Sequence, residues 1–285
     1  MPSTNLWPRV EPLLARVERP ARYLNHEWGC VVKDDAPFQF CMIYPDTYEL
    51  GQANQAVRIL VNAVNATEGM GAERAFLPAV DMADLMRDAG VPLFSLESCA
   101  PVAEFDAVGI TLPHELAATN ILETLDLAGI PLHSDERAED DPIVLAGGPC
   151  AYNPEPYAPF FDVILVGEGE EQLPEALSLI RRLRAEGAPR AAILRALARE
   201  VGGAYVPSLY RWRDEAEAQA AGSWVEPLFD DVPPVVDKRV FEGFAASDAH
   251  EPMVVPYTEV VHDRLNIEVL RGCARGCRFC QAGMM

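Results

Sequence analysis

The sequence contains no uninterrupted apolar run of the ~18 residues that a membrane-spanning helix needs. Positive charge is also scarce, because 23 lysines and arginines stand against 44 aspartates and glutamates, for a formal net charge of −21. Such a surface repels phosphate backbones and anionic membranes, which argues against nucleic acid or a membrane as partner. The amino terminus lacks the charged-then-apolar pattern of a signal peptide, so we expect a soluble cytoplasmic protein.

Cysteine is sparse except in one short segment near the carboxyl terminus. Four cysteines stand far apart and are interpreted as small hydrophobic residues: Cys30, Cys41, Cys99 and Cys150. The other three, Cys273, Cys277 and Cys280, fall within eight positions. The clustered cysteines are therefore the candidates for metal chemistry.

Residues 30–204 alternate apolar runs with amphipathic segments. The runs predict strands at 38–44, 74–80, 91–97, 105–112, 142–148 and 161–166, and the segments predict helices at 54–67, 81–90, 114–130, 167–187 and 189–201. Strands rich in Val, Ile and Leu, most of them followed by a helix, are typical of a mainly parallel sheet buried on both faces. We predict a doubly wound α/β domain over this region.

Three further segments flank this domain. Residues 1–29 predict an amino-terminal helical segment, with a helix over about Trp7–Arg19. Residues 205–262 are rich in proline and predict a small β-rich or extended connector. Residues 263–285 begin with a predicted strand at 266–270, and the clustered cysteines follow it directly.

Ligands of doubly wound sheets bind outside the carboxyl ends of the strands. Several loops should meet there, and their candidate binding residues are Asp46, Tyr48, Gly51, Thr111, Gly147, Gly148, Gly167 and Gly169. Their convergence would indicate a shared pocket without identifying the ligand. The alternative is that these residues only turn the chain and cap the following helices.

Three thiolates at the CxxxCxxC spacing suit an iron–sulfur cluster that leaves one iron open to a substrate. Gly272 and Gly276 would let the loop curl so that its sulfur atoms converge. A zinc site is the alternative, but structural zinc usually takes four protein ligands, and His262 lies eleven residues upstream of Cys273.

The motif R-G-C-x-x-G-C-x-F-C after a predicted strand resembles the signature of the radical S-adenosylmethionine (radical SAM) enzymes. The resemblance implies that Cys273, Cys277 and Cys280 hold a [4Fe-4S] cluster, with S-adenosylmethionine on the fourth iron and Phe279 near its adenine. An external electron donor would reduce the cluster, which would cleave S-adenosylmethionine to methionine and a 5′-deoxyadenosyl radical acting on an unknown substrate.

The α/β domain ahead of this motif resembles the cobalamin-binding domains that many radical SAM proteins carry. The likeness covers residues 38–180 through PDTYELG, LAGGP and VGEGEE, and it makes cobalamin a further candidate cofactor. Base-displaced cobalamin domains use a D-x-H-x-x-G loop, whereas here Tyr48 stands in place of the histidine. A corrinoid bound here would therefore lack a histidine ligand.

The resemblance also implies a (β/α) barrel continuing beyond the cysteine loop, and the sequence stops five residues after Cys280. We expect a fragment whose last twenty residues are poorly ordered or lie against the α/β domain, or a separate chain that supplies the barrel. Two other readings remain open. One is a corrinoid- or partner-binding module with vestigial cysteines, and the other is a small metal or electron-transfer protein.

Overall fold

The computed structural model describes residues 4–33, 35–246, 253–262, 264 and 266–283. The undescribed positions include parts of the predicted amino-terminal segment, connector and cysteine segment. The helices are α1 (Trp7–Leu14), α2 (Tyr48–Gly51), α3 (Gln55–Ala66), α4 (Val80–Ala89), α5 (Ala118–Ala128), α6 (Gly169–Ala185), α7 (Arg190–Glu200) and α8 (Glu215–Ala221). The strands are β1 (Phe38–Tyr44), β2 (Met70–Phe76), β3 (Ala107–Thr111), β4 (Ile143–Gly147), β5 (Val163–Leu165), β6 (Ala204–Tyr205), β7 (Tyr210–Trp212) and β8 (Val225–Pro227).

Six strands form one sheet in the order β2-β1-β3-β4-β5-β6. The first five run parallel, and β6 pairs antiparallel with β5 at the edge. Parallel strands need crossover connections, and the helices between them supply these connections. The protein is therefore a mixed α/β fold with a mostly parallel sheet, as the apolar strand pattern predicts.

Helices bury both faces of the sheet. Alternate residues of β1 point to opposite faces: Phe40 and Met42 enter the core that contains α3, α6 and α7, whereas Cys41 and Ile43 enter the core that contains α5. A third, smaller core joins α1 to α4. Burial on both faces explains why the strands read as continuous apolar runs instead of alternating patterns.

Two networks of buried charged side chains link residues that are far apart in the sequence. The carboxylate of Asp162 accepts hydrogen bonds from Arg137 (3.0 Å), from Arg190 (2.6 Å) and from the Val144 backbone amide (2.7 Å). In the second network, Arg74 of β2 donates to Glu27 (2.7 Å) and Glu97 (2.6 Å). All of these side chains are buried, so each depends on its partners.

Several predicted boundaries are wrong. The amino-terminal helix ends at Leu14, and Arg19 leaves the helical region (φ −130°) as expected for a residue before proline. Strand β2 begins at Met70 and not at 74. The predicted strand at 91–97 is only an isolated bridge between Phe94 and Pro101.

The predicted strand at 266–270 is absent from the described residues of that segment. A strand is defined by hydrogen bonds to a neighbour, and none of the strands described here pairs with it. Ile267, Val269 and Leu270 are exposed.

The segment predicted as a β-rich or extended connector contains two short strands and a helix. Strands β7 and β8 form a two-stranded antiparallel sheet, with α8 between them. Asp214 and Glu217 form a capping box at the start of α8. In the described parts of the chain, no helix is both long enough and apolar enough to cross a bilayer.

Candidate functional site

A cavity of about 450 Å³ opens at the carboxyl ends of β3, β4 and β5. Its floor is the sheet, with Phe40, Met42 and Leu145 among the apolar side chains. Its walls come from the first two turns of α3 and from the start of α6. The carboxyl-terminal segment closes one side through Glu268, Arg271, Gly272 and Ala282. The cavity therefore joins the α/β domain to the cysteine loop.

Two polar atoms in this cavity are buried without a hydrogen-bond partner in the described part of the chain. They are Thr111 Oγ1, at the end of β3, and Gln172 Oε1, in the first turn of α6. The amide nitrogen of Gln172 donates to the Gly202 carbonyl (2.7 Å), which leaves the oxygen as an acceptor. Unpaired buried polar groups are costly, so a ligand that donates to these atoms would be favoured.

Gly167, shortly after β5, lines the cavity and permits a close backbone contact. Gly167 has φ +119°, and a Cβ there would lie 2.2 Å from the Arg239 carbonyl oxygen. The Glu168 amide donates to that same carbonyl (3.0 Å), and the Arg239 amide donates to the Val166 carbonyl (2.9 Å). Glycine at 167 thus allows the connector to lie against the end of β5.

The cavity brings together most of the binding residues predicted from strand ends. Five of them line it: Thr111, Gly147, Gly148, Gly167 and Gly169. Gly272, predicted as part of the cysteine loop, lines it as well. Asp46, Tyr48 and Gly51 do not line it. Asp46 accepts a hydrogen bond from the Thr47 amide (2.7 Å), as a turn residue does, and the Gly51 backbone lies against the Phe76 ring.

Tyr48 does not fit the role of a cobalt ligand. Its side chain is buried, packs edge to face against Phe76 (5.3 Å between centroids) and donates its O–H to Glu27. Burial, followed by the Glu27 charge, raises the pKa of Tyr48 well above its ordinary value. The phenol stays neutral and turned inward, so the 46–51 loop offers no ligand to a corrinoid, and His114 is exposed.

The three clustered cysteines are free and exposed. Gly272 (φ +77°) and Gly276 (φ +62°) adopt the left-handed turns expected of a curled loop, and the Cys280 amide donates to the Cys277 carbonyl (3.1 Å). Phe279 is 91% exposed. Within the residues that the structure covers, no three Cys, His, Asp or Glu side chains are grouped closely enough to hold a metal ion. Three accessible thiols are nevertheless the donor set that iron–sulfur clusters use.

Arg271 connects the cysteine loop to the α/β domain. Its guanidinium pairs with Glu168 (3.2 Å), with Glu170 and with Glu268 (2.8 Å), and it lies 5.0 Å from the centre of the Phe244 ring. Hydrogen bonding to Glu268 is the main cause that raises the pKa of Arg271; burial opposes it, and Glu170 and Glu168 add to it. We call these four charged residues the Arg271 network.

The Arg271 network and the unpaired Gln172 Oε1 were not predicted from the sequence. The motif R-G-C-x-x-G-C-x-F-C includes Arg271 but does not predict its ion pairs. The local signal is the pair of Glu268 and Arg271 at i, i+3, whereas Glu168 and Glu170 lie far away in the sequence.

Fold and site together define a protein with a Rossmann-like α/β domain whose strand-end cavity adjoins a three-cysteine loop. The chain belongs to the family described as radical SAM proteins, N-terminal, which matches residues 56–207.

The chain is 26% identical over 245 residues to an uncharacterised protein of Methanocaldococcus jannaschii, which covers 85% of this chain. It is also similar to the radical S-adenosylmethionine methyltransferase TsrM from Kitasatospora setae, solved with tryptophan substrate and a SAM analog bound. That similarity has a TM-score of 0.36 and 16% identity, and it covers 59% of this chain. The chain spans 40% of the length of the Methanocaldococcus protein and 28% of the TsrM chain.

Proposed function

We propose that the chain is the amino-terminal part of a radical SAM enzyme and that Cys273, Cys277 and Cys280 hold its [4Fe-4S] cluster. Family membership supports the enzyme class. Three accessible thiols on a loop with two left-handed glycines support the cluster. When bound, such a cluster supplies the electron that cleaves S-adenosylmethionine, after an external donor has reduced it.

The observation that carries the proposal is the position of the cysteine loop. Gly272, directly before the first thiol, and Ala282, two residues after the last, both line the 450 Å³ cavity. The Arg271 network holds the loop against the end of β5. A molecule bound in the cavity would therefore lie beside the cysteine loop.

Anaerobic reconstitution with iron and sulfide tests the cluster. The wild-type chain should bind iron and sulfide in equal amounts and gain the visible absorption of an iron–sulfur protein. Cys277→Ala should lose both, whereas Cys30→Ala, which removes a half-buried thiol outside the motif, should lose neither. Zinc bound in excess of iron would indicate the zinc or electron-transfer alternative instead.

The cavity favours a second role, because Thr111 Oγ1 and Gln172 Oε1 have no hydrogen-bond partner among the described residues and could bind a ligand. We propose that the α/β domain binds an amphipathic cofactor or substrate there, with a corrinoid as one candidate that takes no ligand from residues 46–51. Hydroxocobalamin titrated into the whole chain tests the corrinoid: no spectral change and no retention would reject it.

A matched pair of variants locates the binding. Thr111→Val removes a hydroxyl that lines the cavity and has no partner in the described chain, so it should weaken retention of the ligand. Thr124→Val is the control, because Thr124 is equally buried but donates to the Asn120 carbonyl (2.7 Å) and does not line the cavity. Equal binding by both variants would place the ligand elsewhere.

A further inference from the structure

A second cavity, of about 300 Å³, lies between α3 and a segment that comprises the described residues 253–262, 264 and 266. That segment is bound to the α/β domain by backbone hydrogen bonds, from Val255 to the Trp28 carbonyl (2.9 Å) and from Val261 to the Glu49 carbonyl (3.3 Å). The side-chain amide of Gln52 donates to the Val254 carbonyl (3.3 Å). These hydrogen bonds hold the segment, which forms one wall of the cavity, against the α/β domain, which forms the other.

The polar lining of this cavity is cationic and amide-rich. It consists of Arg58, Arg74, His262 and Arg264 with the amide side chains of Gln52, Asn54, Gln55, Asn62 and Asn266. Among the residues described, no aspartate or glutamate lines it. The chain as a whole has 44 acidic and 23 basic side chains, so a cavity lined by basic residues has the opposite sign of charge from the chain's excess. We call this cavity the Arg58 pocket.

The arginines of the Arg58 pocket differ in how their charge is matched. Arg74 is buried and already paired with Glu27 and Glu97. Arg58 and Arg264 form no ion pair within the described ranges, whereas Arg19 and Arg22, outside the pocket, both pair with Glu49. Asp263 lies outside the described residues. Two guanidinium groups therefore face the pocket with positive charge that no described carboxylate offsets.

The start of α3 adds to the positive potential of the Arg58 pocket. Asn54 caps this helix by accepting a hydrogen bond from the Ala56 amide (3.0 Å) and also lines the pocket. The amino end of a helix of 12 residues carries a partial positive charge. The helix end, the arginines and the amide donors all suit the same kind of group, an oxyanion.

We propose that the Arg58 pocket binds a small molecule through a phosphate or carboxylate group. This site is separate from the cavity beside the cysteine loop, and the two share only Gln55 as a lining residue. The proposal does not depend on the iron–sulfur cluster, so it can fail or succeed while the proposed function stands.

Calorimetric titration of the whole chain with pyrophosphate, and separately with citrate, tests the proposal at constant ionic strength. Saturable binding with a Kd of about 1 mM or tighter is expected for at least one of the two anions. Tighter binding of pyrophosphate would indicate a phosphorylated ligand, and tighter binding of citrate would indicate a carboxylate. No saturable binding of either anion would overturn the proposal.

Two variants and a control locate the anion. Arg58→Gln and Arg264→Gln should each weaken binding by about tenfold, the scale of one charged hydrogen bond. Arg264 is exposed, so its replacement leaves the fold intact. Arg16→Gln removes an exposed arginine outside the pocket and should change the affinity little. Equal weakening by all three variants would mean general charge attraction and would contradict a site.

Discussion

The α/β domain and the cysteine segment of residues 266–283 are held in place by different forces. In the domain, β1, β3 and β4 are flanked by strands on both sides, and their side chains are almost entirely buried. In the cysteine segment, Ile267, Val269, Leu270 and Phe279 are exposed. The domain is stabilised by apolar burial, whereas the segment is attached mainly through the charges of the Arg271 network.

This difference indicates how a reactive loop can be placed without being buried. Thiols that bind a cluster must remain accessible until iron and sulfide arrive, and burial would raise the pKa of a thiol, as it does for Cys99, whose pKa rises to about 12. An ion-pair network positions the backbone of the loop and leaves the three thiols in solvent. Substitutions in the domain should therefore change global stability, and substitutions in the network should change local attachment.

The largest effect is expected at Asp162. Asp162→Ala leaves Arg137 and Arg190 buried without their carboxylate, so the free energy of unfolding should fall by about 3–5 kcal/mol. Urea denaturation measures the loss. Asp231→Ala is the control, because it removes a partner of the partly exposed Arg195 and Arg199 and should cost far less stability. Similar losses for both would mean that the domain does not depend on buried charge.

A smaller effect is expected where the two regions meet, at Gly167. Gly167→Ala places a methyl group against the Arg239 backbone at a left-handed position, which should cost roughly 2–3 kcal/mol and loosen the connector. Gly187→Ala also falls at a positive φ (+75°) but meets no atom within 4 Å. Gly187→Ala therefore measures the cost of backbone strain alone. If Gly187→Ala destabilised the fold as much as Gly167→Ala does, the contact with Arg239 would not explain the loss. Denaturation and limited proteolysis measure the two consequences.

Arg271→Gln should affect attachment more than stability. The free energy of unfolding should change by less than about 1 kcal/mol, because the arginine is partly exposed. Hydrogen exchange of residues 266–283 should become faster, since the network with Glu168 and Glu170 is lost. Arg275→Gln, on the same exposed loop, should leave exchange unchanged. Unchanged exchange in Arg271→Gln would show that the network does not hold the segment.

The smallest effect concerns the buried Glu73 in β2. Burial raises its pKa, although hydrogen bonds from Ser95 and Ser98 lower it. A carboxyl with a raised pKa in the folded state stabilises the fold below its ordinary pKa, and that stability is lost as the pH rises through the folded value.

Glu73→Gln should therefore raise the free energy of unfolding slightly at pH 7. The gain should shrink as the pH falls toward about 4.3, the ordinary pKa of glutamate. Urea denaturation across this range measures it, with the exposed Glu68→Gln as control. A loss of stability at neutral pH would reverse the assigned sign.

Local sequence determined part of the fold. The bounds of β1 were predicted to the residue, because an apolar run from Phe38 to Tyr44 ends at Pro45. The start of β2 was missed because it contains Glu73 and Arg74, whose burial depends on Ser98, Glu97 and Glu27 elsewhere in the chain. The absent strand at 266–270 shows that an apolar pattern without a pairing neighbour does not make a strand.

Some features of the candidate site could likewise be predicted from the sequence, and others could not. Thr111 and the strand-end glycines were predicted because the carboxyl ends of parallel strands meet at one edge. The inward orientation of Tyr48 could not be predicted, since it follows from the position of Glu27, 21 residues away. The attachment of the cysteine loop through Arg271 likewise depends on tertiary contacts with Glu168 and Glu170.

The central claim is that three thiolates from Cys273, Cys277 and Cys280 hold a cluster with one iron open. Electron paramagnetic resonance of the reconstituted, reduced chain, recorded with and without S-adenosylmethionine, tests it most directly. The account predicts a signal from a reduced [4Fe-4S] cluster that changes shape when S-adenosylmethionine binds the open iron. A chain that forms no reducible cluster, or a cluster signal that S-adenosylmethionine leaves unchanged, would contradict it.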